Sequence, residues 1–226
     1  MSDRASAKTA ADAALDLIQN GFVVGLGTGR AALSFVAALA KRVQDGLEVR
    51  GVPTSQATAE FASSRGIPLV ALNDVEAIDV AVDGADEVDP QLNLIKGLGG
   101  ALVREKIVAA AAGRLVILVG REKIVPVLGS RGTLPVEVVP FGMGLCRRRI
   151  AELGLSPRPR EAEGGLFISD NGNYIVDCQT AAIWKPGELE QKLRAIPGVV
   201  ATGLFLGMAD TVFVQDADGV DVIRRK

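Results

Sequence analysis

The stretch Lys96-Gly-Leu-Gly-Gly-Ala-Leu-Val-Arg-Glu105 holds a lysine, three glycines and a carboxylate within ten residues. Glycines at 97, 99 and 100 leave backbone N–H groups able to approach a ligand closely. Glu105 falls about one turn inside the helix that follows. There it suits a carboxylate base, with Lys96 near enough in sequence to steady an oxyanion. A plainer reading pairs Glu105 with Lys106 on the surface, or makes it a favourable first-turn acid. Two further segments carry candidate chemistry. Asp83-Gly-Ala-Asp-Glu-Val-Asp89 places four acids in seven residues. Asp83 ends an apolar run, where partial desolvation raises a carboxylate's proton affinity. The segment is also what a solvated turn with a helix cap looks like, and its spacing misses the calcium-loop pattern. Gly27-Thr-Gly-Arg30 is a glycine-rich turn feeding a helix. Free N–H groups and the helix dipole both favour an anion there, Thr28 can donate a hydroxyl hydrogen bond and Arg30 can add charge. Glycines needed only for a tight turn would look the same.

These segments need elements to hold them. Residues 5–19 show helical spacing of Ala10, Ala11, Ala14, Leu17 and Ile18, stopped by Asn20-Gly21. Short apolar runs at 22–26, 48–52, 67–70, 77–82 and 115–119 read as strands. Helical patterns at 31–43, from Thr54 to near Gly66, and at 101–112 lie between them. Alternating strands and helices imply right-handed crossovers and a parallel sheet. Ligands bind outside the carboxyl ends of such strands. Gly27–Arg30, Thr54-Ser55, Asp83–Asp86 and Gly120-Arg-Glu-Lys123 all follow predicted strands, and Lys96–Gly100 precedes a helix. If the sheet forms, the five share one rim. Near residue 129 the rhythm changes to a strand at 136–139, a helix at 145–153, strands at 166–169 and 174–178 around Asp170-Asn-Gly-Asn173, and a helix at 188–195. This order suits a small α+β domain. Strands at 211–214 and 220–223 are placed to rejoin the first sheet, which makes the small domain an insertion.

Composition narrows the chemistry. The 226 residues contain no histidine. That removes imidazole bases, Ser-His-Asp and Cys-His triads and the two-histidine metalloprotease helix. A formal net charge of −2 and only 4% aromatic residues give no footprint for nucleic acid. The Arg147–Arg149 and Arg224–Lys226 clusters read as solvated surface. Cys146 and Cys178 lack metal-ligand spacing and suggest a reducing cytoplasm. The start, Met1-Ser-Asp-Arg4, shows no signal-peptide core, and Arg30 interrupts the most apolar stretch, so no membrane span is expected.

Taken together, the motifs resemble ribose-5-phosphate isomerase of type A. They are Gly25-Leu-Gly-Thr-Gly29, Val52-Pro-Thr-Ser55 with Ala57-Thr58, Val82-Asp-Gly-Ala-Asp-Glu87 and Ile95-Lys-Gly-Leu-Gly-Gly-Ala-Leu-Val-Arg-Glu-Lys106. Further on come Lys123 with Val127-Leu-Gly129, Pro135-Val-Glu-Val-Val-Pro140, Asp170-Asn-Gly-Asn173 with Asp177, Ile196-Pro-Gly-Val-Val200 and Gly203-Leu-Phe205. They span nearly the whole chain in the family's order.

The resemblance implies interconversion of D-ribose 5-phosphate and D-ribulose 5-phosphate, without a metal or organic cofactor. It implies an α/β fold: a Rossmann-like, mostly parallel sheet with helices on both faces (residues 1–128 and 204–226) around a small ferredoxin-like α+β insertion (129–203). A cytoplasmic homodimer or homotetramer is implied, with a small sugar phosphate as partner and neither nucleic acid nor membrane. By motif position, Glu105 is the base between C2 and C1, Asp83 a second acid/base, and Lys96 with the adjacent glycine amides the enediolate stabiliser. Substrate binding falls to Thr28, Gly29, Arg30 and Ala31, to Asp83, Gly84, Ala85 and Asp86, to Lys96, Gly97, Leu98 and Gly99, and to Lys123.

Two adjacent positions depart from the family, which often has Ser-Thr where this chain has Arg30-Ala31. Two hydroxyl donors are lost and a guanidinium able to bind phosphate bidentately is gained. Two other functions compete. A non-catalytic sugar-phosphate sensor on a related fold would need a DNA-reading segment, and none fits before residue 22 or after 206. A nicotinamide dehydrogenase would use Gly27-x-Gly29-x-x-Ala32 with Glu48, but Glu48 falls at the start of the second strand rather than its end.

Overall fold

The computed structural model describes residues 9–225. Residues 5–8 of the expected first helix and Lys226 of the basic cluster lie outside that range. Thr9 caps the first helix: its hydroxyl accepts the Asp12 N–H, and the Asp12 carboxylate accepts the Thr9 N–H at 3.1 Å.

In chain order the elements are α1 (Ala10–Leu15), β1 (Val23–Leu26), α2 (Arg30–Gln44), β2 (Arg50–Pro53), α3 (Gln56–Ser63), β3 (Val80–Gly84), β4 (Glu87–Val88), β5 (Leu94–Ile95), α4 (Leu102–Ala111) and β6 (Leu115–Gly120). There follow β7 (Thr133–Val138), α5 (Met143–Glu152), β8 (Ser156–Pro159), β9 (Glu161–Ala162), β10 (Gly165–Leu166), β11 (Tyr174–Gln179), α6 (Pro186–Arg194), β12 (Val199–Thr202), β13 (Leu204–Phe205), β14 (Thr211–Asp216) and β15 (Gly219–Arg224). The chain divides into two compact units. One holds the residues up to Ala85, Arg104–Ile124 and Met208 onward; the other holds Asp86–Val103 and Val125–Gly207.

The first unit is built on a six-stranded sheet in the order β15-β14-β6-β3-β1-β2, parallel throughout except for the edge strand β15. Every residue of β1 is buried, as a strand covered on both faces requires. Val24, Leu26, Val80, Val82, Val116, Leu118 and Phe213 pack with Ala14, Phe35, Leu39 and Ala62 from α1, α2 and α3. Gly25 points to the opposite face, where an added Cβ would lie 2.7 Å from Val108 of α4. Helices therefore cover both faces. Two strand starts are tied by carboxylates: Asp79 Oδ2 accepts the Val23 N–H and Asp210 Oδ2 the Leu115 N–H, each at 2.7 Å.

The second unit contains a βαββαβ run, β7-α5-β8-β11-α6-β12. Its antiparallel sheet has the order β12-β7-β11-β8, the ferredoxin-like arrangement. Leu134, Val136, Val138, Val176 and Cys178 pack against Cys146 and Ile150 of α5 and Leu193 of α6. Burial, with a smaller push from the Asp177 charge, raises the Cys178 thiol to about 12, so it stays protonated and unreactive at neutral pH. Neither cysteine is in a disulfide. Among the described residues no helix is long and apolar enough to cross a membrane.

Some expected elements differ. The run at 67–70 makes only one bridge, Gly51 to Leu69, because Pro68 has no N–H to extend a ladder. The expected strand at 77–82 begins at Val80 and continues to Gly84, while Glu48 precedes β2 altogether. The hairpin expected at 166–178 is reduced to a bridge between Ile168 and Tyr174, and β11 pairs with β7 and β8 instead. Ser169, Asn171 and Asn173 turn their side chains to Oε1 of the fully buried Glu137, at 2.8, 3.3 and 2.9 Å. A buried carboxylate needs such donors. The three short strands β13-β5-β4 form a sheet with no counterpart in the sequence reading, since two residues show no period.

Candidate active site

In the first unit, β1, β2, β3 and β6 are parallel, so the turns after them emerge at one edge of the sheet. Those turns carry Gly27–Arg30, Thr54-Ser55, Asp83–Ala85 and Arg121–Lys123. Gly27 lies so close to β3 that a Cβ there would sit 2.3 Å from Asp83 Cγ and 2.7 Å from its Cα. Only glycine fits. Asp83 is 4% exposed, and its Oδ1 accepts the Thr28 N–H at 3.2 Å and the Gly84 N–H at 2.7 Å. The carboxylate is thereby fixed at the end of its strand.

Thr28 does not hold its hydroxyl ready to donate outward. Its Oγ1 lies 2.8 Å from both Thr54 Oγ1 and Ser55 Oγ and 3.2 Å from Thr58 Oγ1. Thr54 donates to the Leu26 carbonyl at 3.0 Å, Thr58 to the Gly27 carbonyl at 3.0 Å, and Ser55 to Thr58 at 2.9 Å. The Thr28 proton then has Ser55 or Thr54 as its acceptor, so a ligand meets a lone pair there. The Thr-Ser segment after β2 thus bolts the glycine turn to β1. Beyond it, α2 begins at a Gly29 N-cap with φ +100°, with no side-chain cap and no acid in its first turn. Its first N–H groups and the exposed Arg30 are left for an anion. Ala31 follows, half-buried, and would meet a Cβ on Gly84 at 3.6 Å.

Glu105 sits in the first turn of α4 and is 4% exposed. The far end of α4 is pinned at the start of the strands, where Ile78 donates to Ala111 O and Gly113 to Ile78 O. Val108 fills the space beside Gly25. Glu105, three residues earlier on the same helix face, is therefore carried one turn further toward the edge where Gly27 and Asp83 stand. Lys123 ends the short helical turn after β6. Its neighbour Arg121 is gripped by Asp221 and by Asp216 at 2.9 Å, which holds the guanidinium pKa above its ordinary value.

Asp86 and Lys96–Gly99 belong to the second unit. Lys96 is 3% exposed, with its Nζ 5.5 Å from the centroid of the Phe205 ring. Gly97, at φ +106°, opens a tight turn closed by Gly100 N–H to Gly97 O at 3.0 Å. The Leu98 N–H donates to Asp86 Oδ2 at 3.1 Å. A cavity of about 380 Å³ is lined by Asp86, Glu87, Leu98, Arg131 and Thr133. Glu87, absent from the sequence-based candidates, is 1% exposed and accepts the Gly129 and Arg131 N–H groups at 2.6 and 2.7 Å. Arg160 was missed as well. It donates to the carbonyls of Gly97 and Leu98, and nothing in Arg158-Pro-Arg160 announces that contact. Glu48 is exposed and lines a separate cavity of about 490 Å³ by the first residues of β2, which removes the dinucleotide reading of the glycine turn.

Known proteins of one family resemble this chain over nearly its whole length. The sequence model for ribose 5-phosphate isomerase A (phosphoriboisomerase A) matches residues 50–219. Ribose-5-phosphate isomerase A of Gloeobacter violaceus is 50% identical over 217 residues, covering 96% of this chain and 94% of that protein. The Roseiflexus castenholzii protein of the same name is 50% identical over 223 residues, covering 97% and 95%. Among solved structures, ribose 5-phosphate isomerase A of Methanocaldococcus jannaschii superposes with a TM-score of 0.91 at 39% identity, over 96% of each chain. A D-ribose-5-phosphate isomerase in complex with phospho-erythronic acid gives a TM-score of 0.93, also at 39% identity and over 96% of each chain.

The contact at Gly27 yields a direct test. Gly27→Ala must push Asp83 off its amide donors. Overpacking of this kind costs about 1–3 kcal/mol. Urea unfolding should show that loss, and amide hydrogen exchange at Thr28 should accelerate. Unchanged exchange at Thr28 would show that Asp83 does not depend on the glycine.

Proposed function

The chain belongs to the ribose 5-phosphate isomerase A family, and on that footing we propose that it interconverts D-ribose 5-phosphate and D-ribulose 5-phosphate through an enediolate. The observation that carries the reading is the pair of buried carboxylates, Asp83 and Glu105, in a unit whose glycine turn donates the Thr28 amide to one of them. Aldose–ketose isomerisation removes a proton beside a carbonyl. It needs a base for that proton and donors for the negative charge that results.

In this scheme Glu105 takes the C2 proton of the open-chain aldose and returns it to C1. The C2 hydroxyl loses its proton as C2 becomes the ketone, and O1 gains one as C1 becomes the primary alcohol. Asp83 serves those hydroxyl protons or the ring opening before them. Lys96 and the adjacent glycine amides, those of Gly97 and Gly99, stabilise the enediolate. Thr28–Ala31, Gly84, Ala85, Asp86 and Lys123 bind the substrate, with the α2 N–H groups and Arg30 on the phosphate. No metal or organic cofactor is called for. Phospho-erythronic acid, bound by a related isomerase, is a four-carbon acid whose carboxylate places charge where an enediolate would carry it.

Purified protein in EDTA should convert ribose 5-phosphate to ribulose 5-phosphate, and Glu105→Gln should lower kcat by about 10²–10⁴-fold with the fold retained. Absence of turnover sinks the isomerase reading; near wild-type kcat in the variant removes Glu105 as the base. Arg30→Ala should raise KM about tenfold with little change in kcat, as loss of a charge-assisted phosphate contact would. An unchanged KM means that Arg30 points elsewhere. We also place the protein in the cytoplasm as a homodimer or homotetramer. The free, buried Cys146 and Cys178 support the compartment, and the exposed Phe141 and Trp184 support self-association. A monomer by light scattering at micromolar concentration would end that second assignment.

A further inference from the structure

Asp177 is a motif residue that the reaction scheme leaves without a role, and its partner is Arg160, in the link between β8 and β9. The Arg160 side chain is 12% exposed. Its Nε and Nη2 donate to Asp177 Oδ2 and Oδ1 at 2.9 and 2.6 Å, a bidentate pair. The remaining nitrogen, Nη1, donates to the carbonyls of Gly97 at 3.0 Å and Leu98 at 3.1 Å. The Phe167 ring lies 5.7 Å from the guanidinium carbon and also fills the space beside Gly100, where a Cβ would be 2.4 Å from it. All three guanidinium nitrogens of Arg160 therefore serve two things, its own anchor and two successive peptide groups of the glycine turn.

A trans peptide is planar, with its C=O and N–H on opposite sides. Holding the Gly97 oxygen turns the Leu98 N–H the other way, where it meets Asp86 Oδ2 at 3.1 Å. Holding the Leu98 oxygen turns the Gly99 N–H away from Arg160 likewise. A cation on the carbonyl side also polarises each peptide and strengthens the donor opposite. We infer that Arg160, locked by Asp177, is a positioning residue that holds the Leu98 peptide on Asp86 and aims and strengthens the Gly99 amide toward the developing oxyanion of the substrate. The inference rests on the isomerase reading above. Lysine cannot replace Arg160, because an ammonium has no fork to bind a carboxylate and two carbonyls at once.

The full-length protein can be tested as Arg160→Met, Arg160→Lys and Asp177→Asn. Donors that act on developing charge stabilise the intermediate more than the ground state. Arg160→Met should lower kcat about 10- to 100-fold, somewhat below the loss on removing an oxyanion donor outright. The inhibition constant of phospho-erythronic acid should weaken by a similar factor. KM and the inhibition constant of inorganic phosphate should stay within about threefold, since phosphate does not report on the reacting end. Arg160→Lys should fail to rescue, Asp177→Asn should shift in the same direction by less, and amide exchange at Leu98–Gly100 should quicken in all three. If Arg160→Met does not fold, Asp177→Asn and the exchange data decide.

The inference is overturned if kcat, analogue affinity and exchange are unchanged. It is equally overturned if phosphate and phospho-erythronic acid weaken together, or if lysine restores activity. A wild-type protein that neither turns over ribose 5-phosphate nor binds phospho-erythronic acid would instead sink the isomerase reading. In that case unaltered exchange in the variants would still overturn the positioning role separately.

Discussion

Buried carboxylates that bind backbone amides fix this protein's turns. An anion removed from water must find donors, and where the donors are main-chain N–H groups the backbone is fixed in return. Asp83 holds Thr28 and Gly84, Glu87 holds Gly129 and Arg131, and Asp89 holds Gln91 and Asn93. The exposed Asp79 and the half-buried Asp210 each fix the first residue of a strand from nearer the surface. Glu137 gathers Ser169, Asn171 and Asn173 in the same way through side chains. Each acid ties main-chain or short polar groups, so the loops it holds are fixed more firmly than contacts between long surface side chains would fix them.

That economy explains which features were readable from sequence. The parallel sheet announced itself through long apolar runs alternating with helical patterns, and the glycine turn and the acidic turn fell after strands as expected. β4, β5 and β13 could not be found, because two residues give no periodicity and their pairing is decided by distant partners. The strand at 67–70 failed for a local reason, the missing N–H of Pro68. The hairpin around Asp170–Asn173 failed for a tertiary one: its polar side chains turn to a buried glutamate that sequence alone reads as an ordinary strand residue.

The candidate site residues are legible to the extent that they sit in motifs. Asp83, Lys96 and Glu105 stood out because acids and a lysine beside glycines are uncommon in an apolar chain. Thr28 was legible as a residue but not as a geometry, since its proton goes to Thr54 or Ser55, 26 and 27 positions away. Arg160 was invisible. An arginine 63 residues from the Gly97 carbonyl it contacts leaves no spacing to detect, and only the ferredoxin-like sheet brings the two together. The lack of histidine limits how activity can be tuned: the two proposed acids must be set by burial and amide donors, not by an imidazole neighbour.

The route of the chain has a consequence for biosynthesis. β14 lies between β6 and β15 in the first sheet, yet it follows the whole of the second unit in sequence. A ribosome therefore completes the βαββαβ sheet, ending at Thr202, before the strand that closes β6 has been made. During that interval β6, rich in valine, leucine and isoleucine, has an unpaired edge. Non-local pairing is slow and such edges attract other chains. The nascent protein is thus most exposed to misassembly while its second unit is already finished.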